Sequence, residues 1–219
     1  VLLRRGHDER GLYELATDAL IEVRRRVPAG ALDTLPAFDE ARCLREVSLL
    51  LDWYWPAIKG AEAPEPVRKD FEAAWRAVLP GMWAAGRTIA LFDFHVDNLL
   101  VIPGRSGYQA CGLLDFQDAV AGPVPFDLAS LLEDVRRHVP QALAEAMIER
   151  YLEGNPDLKA ADFRSAYAIG AGQRNTRIAG VFTRLLKRDS KPNYQRFMPR
   201  VWELLEQDLA HPAMAPVKQ

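Results

Sequence analysis

The composition is that of an ordinary globular protein and excludes several classes. The chain has 219 residues, 49% hydrophobic and 26% charged, and its formal net charge of -2 gives no strong basic field for nucleic acid or an anionic membrane. No apolar run reaches the roughly 18 residues that span a bilayer, and no signal-peptide pattern opens the sequence. The two cysteines, Cys43 and Cys111, lack metal-ligand spacing, which favours reduced thiols and a cytoplasmic location.

The first part of the chain, residues 1–88, is predicted to be helical. Apolar residues recur at helical spacing over residues 9–27, and a proline and a glycine end that stripe. A second helix is predicted over residues 38–55. After the loop GAEAPEP, a third follows over about residues 67–78.

The central part, residues 89–118, contains the predicted strands. The segments LLVI (99–102) and YQACGLLDF (108–116) flank the turn PGRSG, a pattern typical of a β-hairpin. Residues 119–219 return to helix, with two long helices predicted over residues 161–187 and 194–209. The sequence therefore predicts a mostly α fold with one small β-hairpin at its centre.

The segment LFDFHVDNLL, next to the hairpin, concentrates polar residues between apolar ones. Asp93, His95, Asp97 and Asn98 fall within six residues. Polar side chains beside a buried strand are costly unless they bind something or perform chemistry. This cluster is therefore the first candidate for a functional site.

The hairpin brings two oxygen ligands to the same place. Asn98 precedes the first strand and Asp115 closes the second, so antiparallel pairing puts them at one end, where they could share Mg²⁺ with water and phosphate. Asp93 then has no metal role and can accept a proton from an incoming hydroxyl. This division of labour is that of the D-x-x-x-x-N and D-F-G loops of kinases.

Two other interpretations compete with a kinase loop. Asp93 and Asp97 could simply cap a turn, as aspartate often does. The run D-x-H-x-D-N is also compatible with a metallo-hydrolase. However, dinuclear hydrolytic sites usually use several histidines, and this chain has 4 in all.

The segments DFHVDN and GLLDFQDAVAGPVPFDLASLL resemble the aminoglycoside phosphotransferase and choline kinase superfamily, which has the protein-kinase-like fold. The later segments GAGQRNTRIAGVFTRL and KPNYQRFMPRVWELL are similar to one branch, the bacterial anomeric kinases of N-acetylmuramate and N-acetylglucosamine. The resemblance implies ATP and Mg²⁺ as cofactors, an amino-sugar substrate and a place in cell-wall (peptidoglycan) recycling.

The same resemblance implies roles for residues of the cluster. Asp93 would be the catalytic base, and Asn98 and Asp115 would hold Mg²⁺ against the phosphates. His95 would lie in the catalytic loop, where it touches substrate or orients Asp93, although a merely packed histidine is an equal alternative.

Three further aspartates receive roles. Asp97 and Asp118 are predicted to contact substrate, and the role of Asp127 comes from the resemblance. Asp127 would support the catalytic loop by accepting hydrogen bonds from its backbone N–H groups, which is a structural role.

The chain also departs from the superfamily pattern. Phe92 stands where relatives commonly have a polar residue before the catalytic aspartate. The 219 residues contain no glycine-rich phosphate loop and no strand-borne lysine paired with a helix glutamate. We therefore expect residues 1–219 to be a single kinase-like C-terminal lobe without the N-terminal lobe, and this chain alone to be nearly inactive.

The helix over residues 161–187 carries an arginine on its apolar stripe. Arg174 falls between Ala171 and Ile178, and an unpaired buried charge would be very costly. One interpretation is a structural ion pair with an internal acid such as Asp118 or Asp134. The other assigns three consecutive residues to the sugar pocket: Gln173, Arg174 and Asn175.

A second arginine pair, Arg136 and Arg137 in VRRHVP, is typical of a solvated helix end that is favoured by the helix dipole.

The sequence thus predicts an ATP-dependent kinase of an amino-sugar anomeric hydroxyl. The alternatives are a kinase of another small alcohol, such as an aminoglycoside or a choline-like substrate, and a non-catalytic binding module that kept the fold.

Overall fold

The computed structural model describes residue 3 and residues 6–218, and it shows a mostly helical protein. The prediction of a mostly α fold is therefore confirmed. The α-helices are α1 (Glu9–Arg25), α2 (Glu40–Val47), α3 (Trp55–Lys59), α4 (Glu65–Val78), α5 (Phe126–Leu132), α6 (Gln141–Gly154), α7 (Ala160–Lys187), α8 (Met198–Leu209) and α9 (Ala215–Lys218).

Short strands form two antiparallel pairs within the described residues. The strands are β1 (Arg87–Ala90), β2 (Leu99–Val101), β3 (Cys111–Leu113) and β4 (Val120–Pro123). Strand β1 pairs with β4, and β2 pairs with β3 as the predicted hairpin.

The chain divides into two compact units. The first contains Val1–Ala37 and Ala85–Phe163, and the second contains Phe38–Ala84 and Arg164–Gln219. The division of one lobe into the segments 1–88, 89–118 and 119–219 stays a prediction.

The first unit packs α1 against α6. The buried face of α1 includes Tyr13, Ala16 and Leu20. Gly154, at the end of α6, lies so close to Ile21 that an added Cβ would stand 2.5 Å from its Cδ1 atom, so only glycine fits there without displacement. The two strand pairs and helix α5 complete this unit, and every residue of α5 is buried.

The second unit contains α2, α3, α4, α8, α9 and most of α7. Its core includes the fully buried Phe38, Trp75 and Met82. A π-helical turn, Leu50–Tyr54, joins α2 to α3. Gly180 in α7 lies directly against the backbone carbonyl of Leu49, and a side chain there would collide with it.

Several predicted boundaries are wrong. The helix predicted over residues 38–55 is broken, because α2 ends at Val47 and the π-helical turn follows. The strand predicted over 108–116 is shorter, because Gly107–Ala110 is a 3₁₀-helix and β3 ends at Leu113. The β1–β4 pair was not predicted.

Among the described residues, no helix has both the length and the apolar character that crossing a membrane requires.

Candidate functional site

The hairpin register places Asn98 and Asp115 at one end. Leu99 pairs with Leu113, and the next N–H, that of Leu114, donates to the carbonyl oxygen of Asn98 at 2.9 Å. Asp115 follows immediately, and its Oδ2 atom accepts from Asn98 Nδ2 at 3.4 Å. The two side chains therefore meet, as the spacing predicts.

Asn98 also ties the loop to the backbone of Asp93. Its Nδ2 atom donates to the Asp93 carbonyl oxygen at 3.0 Å. The loop closes with a 3₁₀ turn, Val96–Asn98, in which the Asn98 N–H donates to the His95 carbonyl oxygen at 2.9 Å. One amide thus links Asp93 and Asp115, which lie 22 positions apart in the sequence.

His95 belongs to this loop and is buried, at 7% exposed. Its Nδ1 atom accepts from the N–H of Asp97 at 3.3 Å, and its Nε2 atom lies 3.3 Å from Asn98 Nδ2. The imidazole ring therefore contacts the backbone of Asp97 and the side chain of Asn98. The side chain of Asp97 itself is exposed.

Asp127 fixes the chain just before Asp93. Its carboxylate, which is 4% exposed, accepts from the N–H of Leu91 at 2.6 Å and from the N–H of Phe92 at 3.0 Å. Phe92 has a φ of 75°, in the left-handed region that disfavours a bulky residue. Its ring stacks on Phe126 at 5.5 Å between centroids, so both its backbone and its side chain are held.

The residues after the hairpin are open to solvent. Asp115 has a φ of 59° and is exposed, and its Oδ1 atom accepts from Gln117 Nε2 at 2.5 Å. Asp118 is exposed as well. The acidic side chains on this edge can therefore be reached from solution.

A cavity of about 440 Å³ adjoins the loop within the first unit. Its walls are mostly apolar, with Asp97 and Arg136 among the polar residues. Burial raises the pKa of the lining Cys111 to about 11 and that of Tyr13 to about 12. Both groups are therefore neutral near pH 7, and Cys111 is not activated as a nucleophile.

The three predicted pocket residues of α7 lie in the second unit. Gln173 and Asn175 are 0% exposed and Arg174 is 6% exposed. Gln173 Nε2 donates to Glu46 Oε2 at 3.1 Å, and Asn175 Nδ2 donates to Asp208 Oδ2 at 2.9 Å. These two side chains are thus held by carboxylates of other elements of their unit, and their assignment to a sugar pocket stays a prediction.

The structure adds one arrangement that sequence reasoning missed. Arg136 is not a solvated helix end, because α5 already ends at Leu132 and the Nε atom of Arg136 donates to the buried Asp134 at 2.8 Å. Its Nη1 atom lies 3.9 Å from Asp97 Oδ2. No local pattern marks a contact between residues so far apart in the sequence.

Within the described part of the chain, no three His, Cys, Asp or Glu side chains gather in a way that could hold a metal ion. The Asn98–Asp115 pair offers two protein ligands, and Mg²⁺ often keeps several waters and binds to substrate phosphates as well. The donor set therefore fits a magnesium–nucleotide complex better than a metal bound by protein alone.

Comparison with known proteins identifies sequence relatives. Residues 4–164 match the phosphotransferase enzyme family. An N-acetylmuramate/N-acetylglucosamine kinase of Caulobacter vibrioides is 31% identical over 99% of this chain and 61% of its own length. A protein with the same name from Neisseria meningitidis is 32% identical over 84% of this chain and 55% of its own length. The chain thus spans little more than half the length of these relatives.

A solved structure shows the same fold. A point mutant of an aminoglycoside 2'-phosphotransferase-IIIa in complex with GDP superposes with a TM-score of 0.57, over 97% of this chain and 66% of that one, at 17% identity. At this identity, the likeness concerns the fold alone.

Proposed function

The chain belongs to the phosphotransferase enzyme family, and from this premise we propose that it carries the catalytic loop of an ATP-dependent amino-sugar kinase. The acceptor would be the anomeric hydroxyl of N-acetylmuramate or N-acetylglucosamine, the sugars named in its relatives. In this role the complete protein would serve the recycling of cell-wall sugars.

One observation carries the proposal: a single amide, that of Asn98, contacts both the Asp93 backbone and the Asp115 carboxylate. Because Nδ2 makes these contacts, Oδ1 is the atom that Asn98 can offer to a cation. The two candidate cation ligands, Asn98 and Asp115, are therefore linked to Asp93, the candidate base. Phosphoryl transfer needs metal ligands and a base close together in this way.

In this proposal Asp93 accepts the proton of the attacking hydroxyl. Its backbone is held on one side by Asn98, and the preceding N–H groups of Leu91 and Phe92 are held by Asp127. Mg²⁺, when bound by Asn98 and Asp115, would neutralise charge on the phosphates of ATP. The chain itself contributes positioning, which together with electrostatic stabilisation accounts for almost all of the catalysis in this class of reaction.

Substrate contacts are proposed for residues near this loop and in α7. Asp97 is exposed next to His95, and Asp118 is exposed beyond the hairpin, so both can accept hydrogen bonds from sugar hydroxyls. Arg174 is proposed to bind the lactyl carboxylate that distinguishes N-acetylmuramate, because a guanidinium grips a carboxylate with two parallel hydrogen bonds.

The proposal is tested with the complete natural protein, labelled ATP and a panel of acceptors. The panel contains both N-acetyl sugars, an aminoglycoside and choline. We expect Mg²⁺-dependent transfer to the N-acetyl sugars, slowed by about 10²–10⁴ in the Asp93→Asn variant. Transfer to choline or the aminoglycoside alone would refute the acceptor, and no transfer to any member would favour a binding module.

A further inference from the structure

The buried carboxylate of Asp134 holds Arg136 by two hydrogen bonds. Asp134 is 0% exposed, and its Oδ1 atom accepts from both the N–H of Arg136 at 3.0 Å and the Nε atom of Arg136 at 2.8 Å. A buried carboxylate needs such a cation, because a charge without a partner in the interior is strongly destabilising. The orientation of the Arg136 side chain is therefore set by the protein interior.

The other end of the same guanidinium faces the catalytic loop. Its Nη1 atom lies 3.9 Å from Asp97 Oδ2. Asp97 immediately precedes Asn98, and its N–H donates to His95. The guanidinium thus connects the buried Asp134 to the loop that ends at Asn98.

An ion pair as exposed as this one usually contributes little, about 0–1 kcal/mol, partly because ordering two long side chains costs entropy. Here the cost is smaller, since Asp134 already orders the guanidinium and Asp97 has a short side chain. The pair can therefore restrict the loop even though its own energy is modest.

The neighbouring Arg137 offers a matched control for Arg136. Arg137 donates from Nε at 3.1 Å and from Nη2 at 2.5 Å to Glu9, at the start of α1. Its side chain is 29% exposed, close to the 35% of Arg136. The two arginines thus have similar exposure and each binds a carboxylate, but only Arg136 is paired with the loop.

We propose that Arg136 is a positioning residue which, through Asp97, holds the loop of residues 93–98 in its reactive geometry. It does not touch the reacting atoms. The effect on turnover rests on the kinase function proposed above, whereas the effect on the loop does not.

The first test measures hydrogen–deuterium exchange of peptides that cover residues 91–98 in the complete protein. Asp97→Asn removes the ion pair between Arg136 and the loop but leaves the Asp134–Arg136 bond in place. Global unfolding is therefore not expected. Asp97→Asn and Arg136→Gln should each raise loop exchange by about threefold or more, because the loop opens more often. The control Arg137→Gln should leave that peptide unchanged.

The second test is kinetic. Arg136→Gln should lower kcat by about threefold or more, since a small misplacement of catalytic groups is costly, with KM for both substrates changed less than about twofold. Arg136→Lys should restore part of kcat. In loop exchange, the double variant of residues 97 and 136 should be no worse than the worse single variant, because both single variants remove the same ion pair.

Unchanged loop exchange in Asp97→Asn would overturn the proposal. So would exchange that rises equally throughout the first unit in Asp97→Asn, which keeps the Asp134–Arg136 bond, or activity losses in Arg136→Gln equal to those in Arg137→Gln. If the wild-type protein phosphorylates none of the acceptors but its loop still responds to Asp97→Asn, the kinase function fails and the positioning of the loop stands.

Discussion

Replacing Asp127 with alanine should destabilise the protein strongly, although we assign Asp127 no chemical step. The carboxylate accepts from the N–H groups of Leu91 and Phe92 at 2.6 and 3.0 Å, and it is 4% exposed. A buried donor without an acceptor costs about 1–3 kcal/mol, so two such donors cost about 2–6 kcal/mol. The loop at Phe92, with its φ of 75°, would also lose its restraint.

A thermal melt followed by circular dichroism measures this loss. In a chain of this size, a loss of 1 kcal/mol in the free energy of unfolding lowers Tm by about 2–4 °C. Asp127→Ala should therefore lower Tm by at least about 4 °C. Asp127→Asn keeps one acceptor oxygen and should fall between wild type and Asp127→Ala. The control Asp118→Ala removes an exposed carboxylate and should shift Tm by less than about 2 °C. Equal Tm values for Asp127→Ala and Asp118→Ala would refute the reasoning.

Further predictions concern chemistry, substrate choice and pH. Asp93→Asn should lower kcat by about 10²–10⁴ with Tm unchanged, and full activity would exclude Asp93 as the base. In calorimetric titrations, Asp115→Ala should abolish the Mg²⁺-dependent part of nucleotide binding. Arg174→Ala should lower kcat/KM far more for N-acetylmuramate than for N-acetylglucosamine; an equal loss with a lower Tm would show a structural ion pair instead. The Arg24 guanidinium lowers the pKa of Asp157, so stability from this pair is present above the ordinary carboxyl pKa and is lost as pH falls through the lowered value. Arg24→Gln should therefore make Tm fall less on acidification. The same fall of Tm in Arg24→Gln and in the wild type would contradict this.

The parts that sequence analysis predicted correctly depend on short spacings. The hairpin follows from two apolar runs around PGRSG, and its register brings Asn98 to Asp115. The resemblance to the aminoglycoside phosphotransferase superfamily, named from the same segments, is confirmed by the family match. The hairpin and the superfamily were therefore accessible without a structure.

The β1–β4 pair was missed for a physical reason. Strand β4, Val120–Pro123, is buried at every position, so it has no alternation of polar and apolar residues. It also contains a glycine and a proline, which indicate a turn rather than a strand. Its pairing with β1, thirty or more positions away, and the bridge from Ala37 to Ala121 make it a strand.

Contacts between distant residues were missed as well. Arg136 and Asp97 belong to different predicted elements, and Gln173 and Glu46 lie 127 positions apart. Charge patterns in a single sequence do not reveal such partners. The arginines were therefore interpreted from their nearest neighbours alone.

The backbone at the end of the hairpin directs the Asp115 side chain. Its φ of 59° lies in the left-handed region, which glycine adopts freely and which aspartate adopts more often than most other residues. This conformation is therefore ordinary for an aspartate in a turn. The side-chain contacts carry more information, because the carboxylate meets Asn98 and stays open to solvent. The role proposed for Asp115 depends on this contact, and the nucleotide titration of Asp115→Ala tests it.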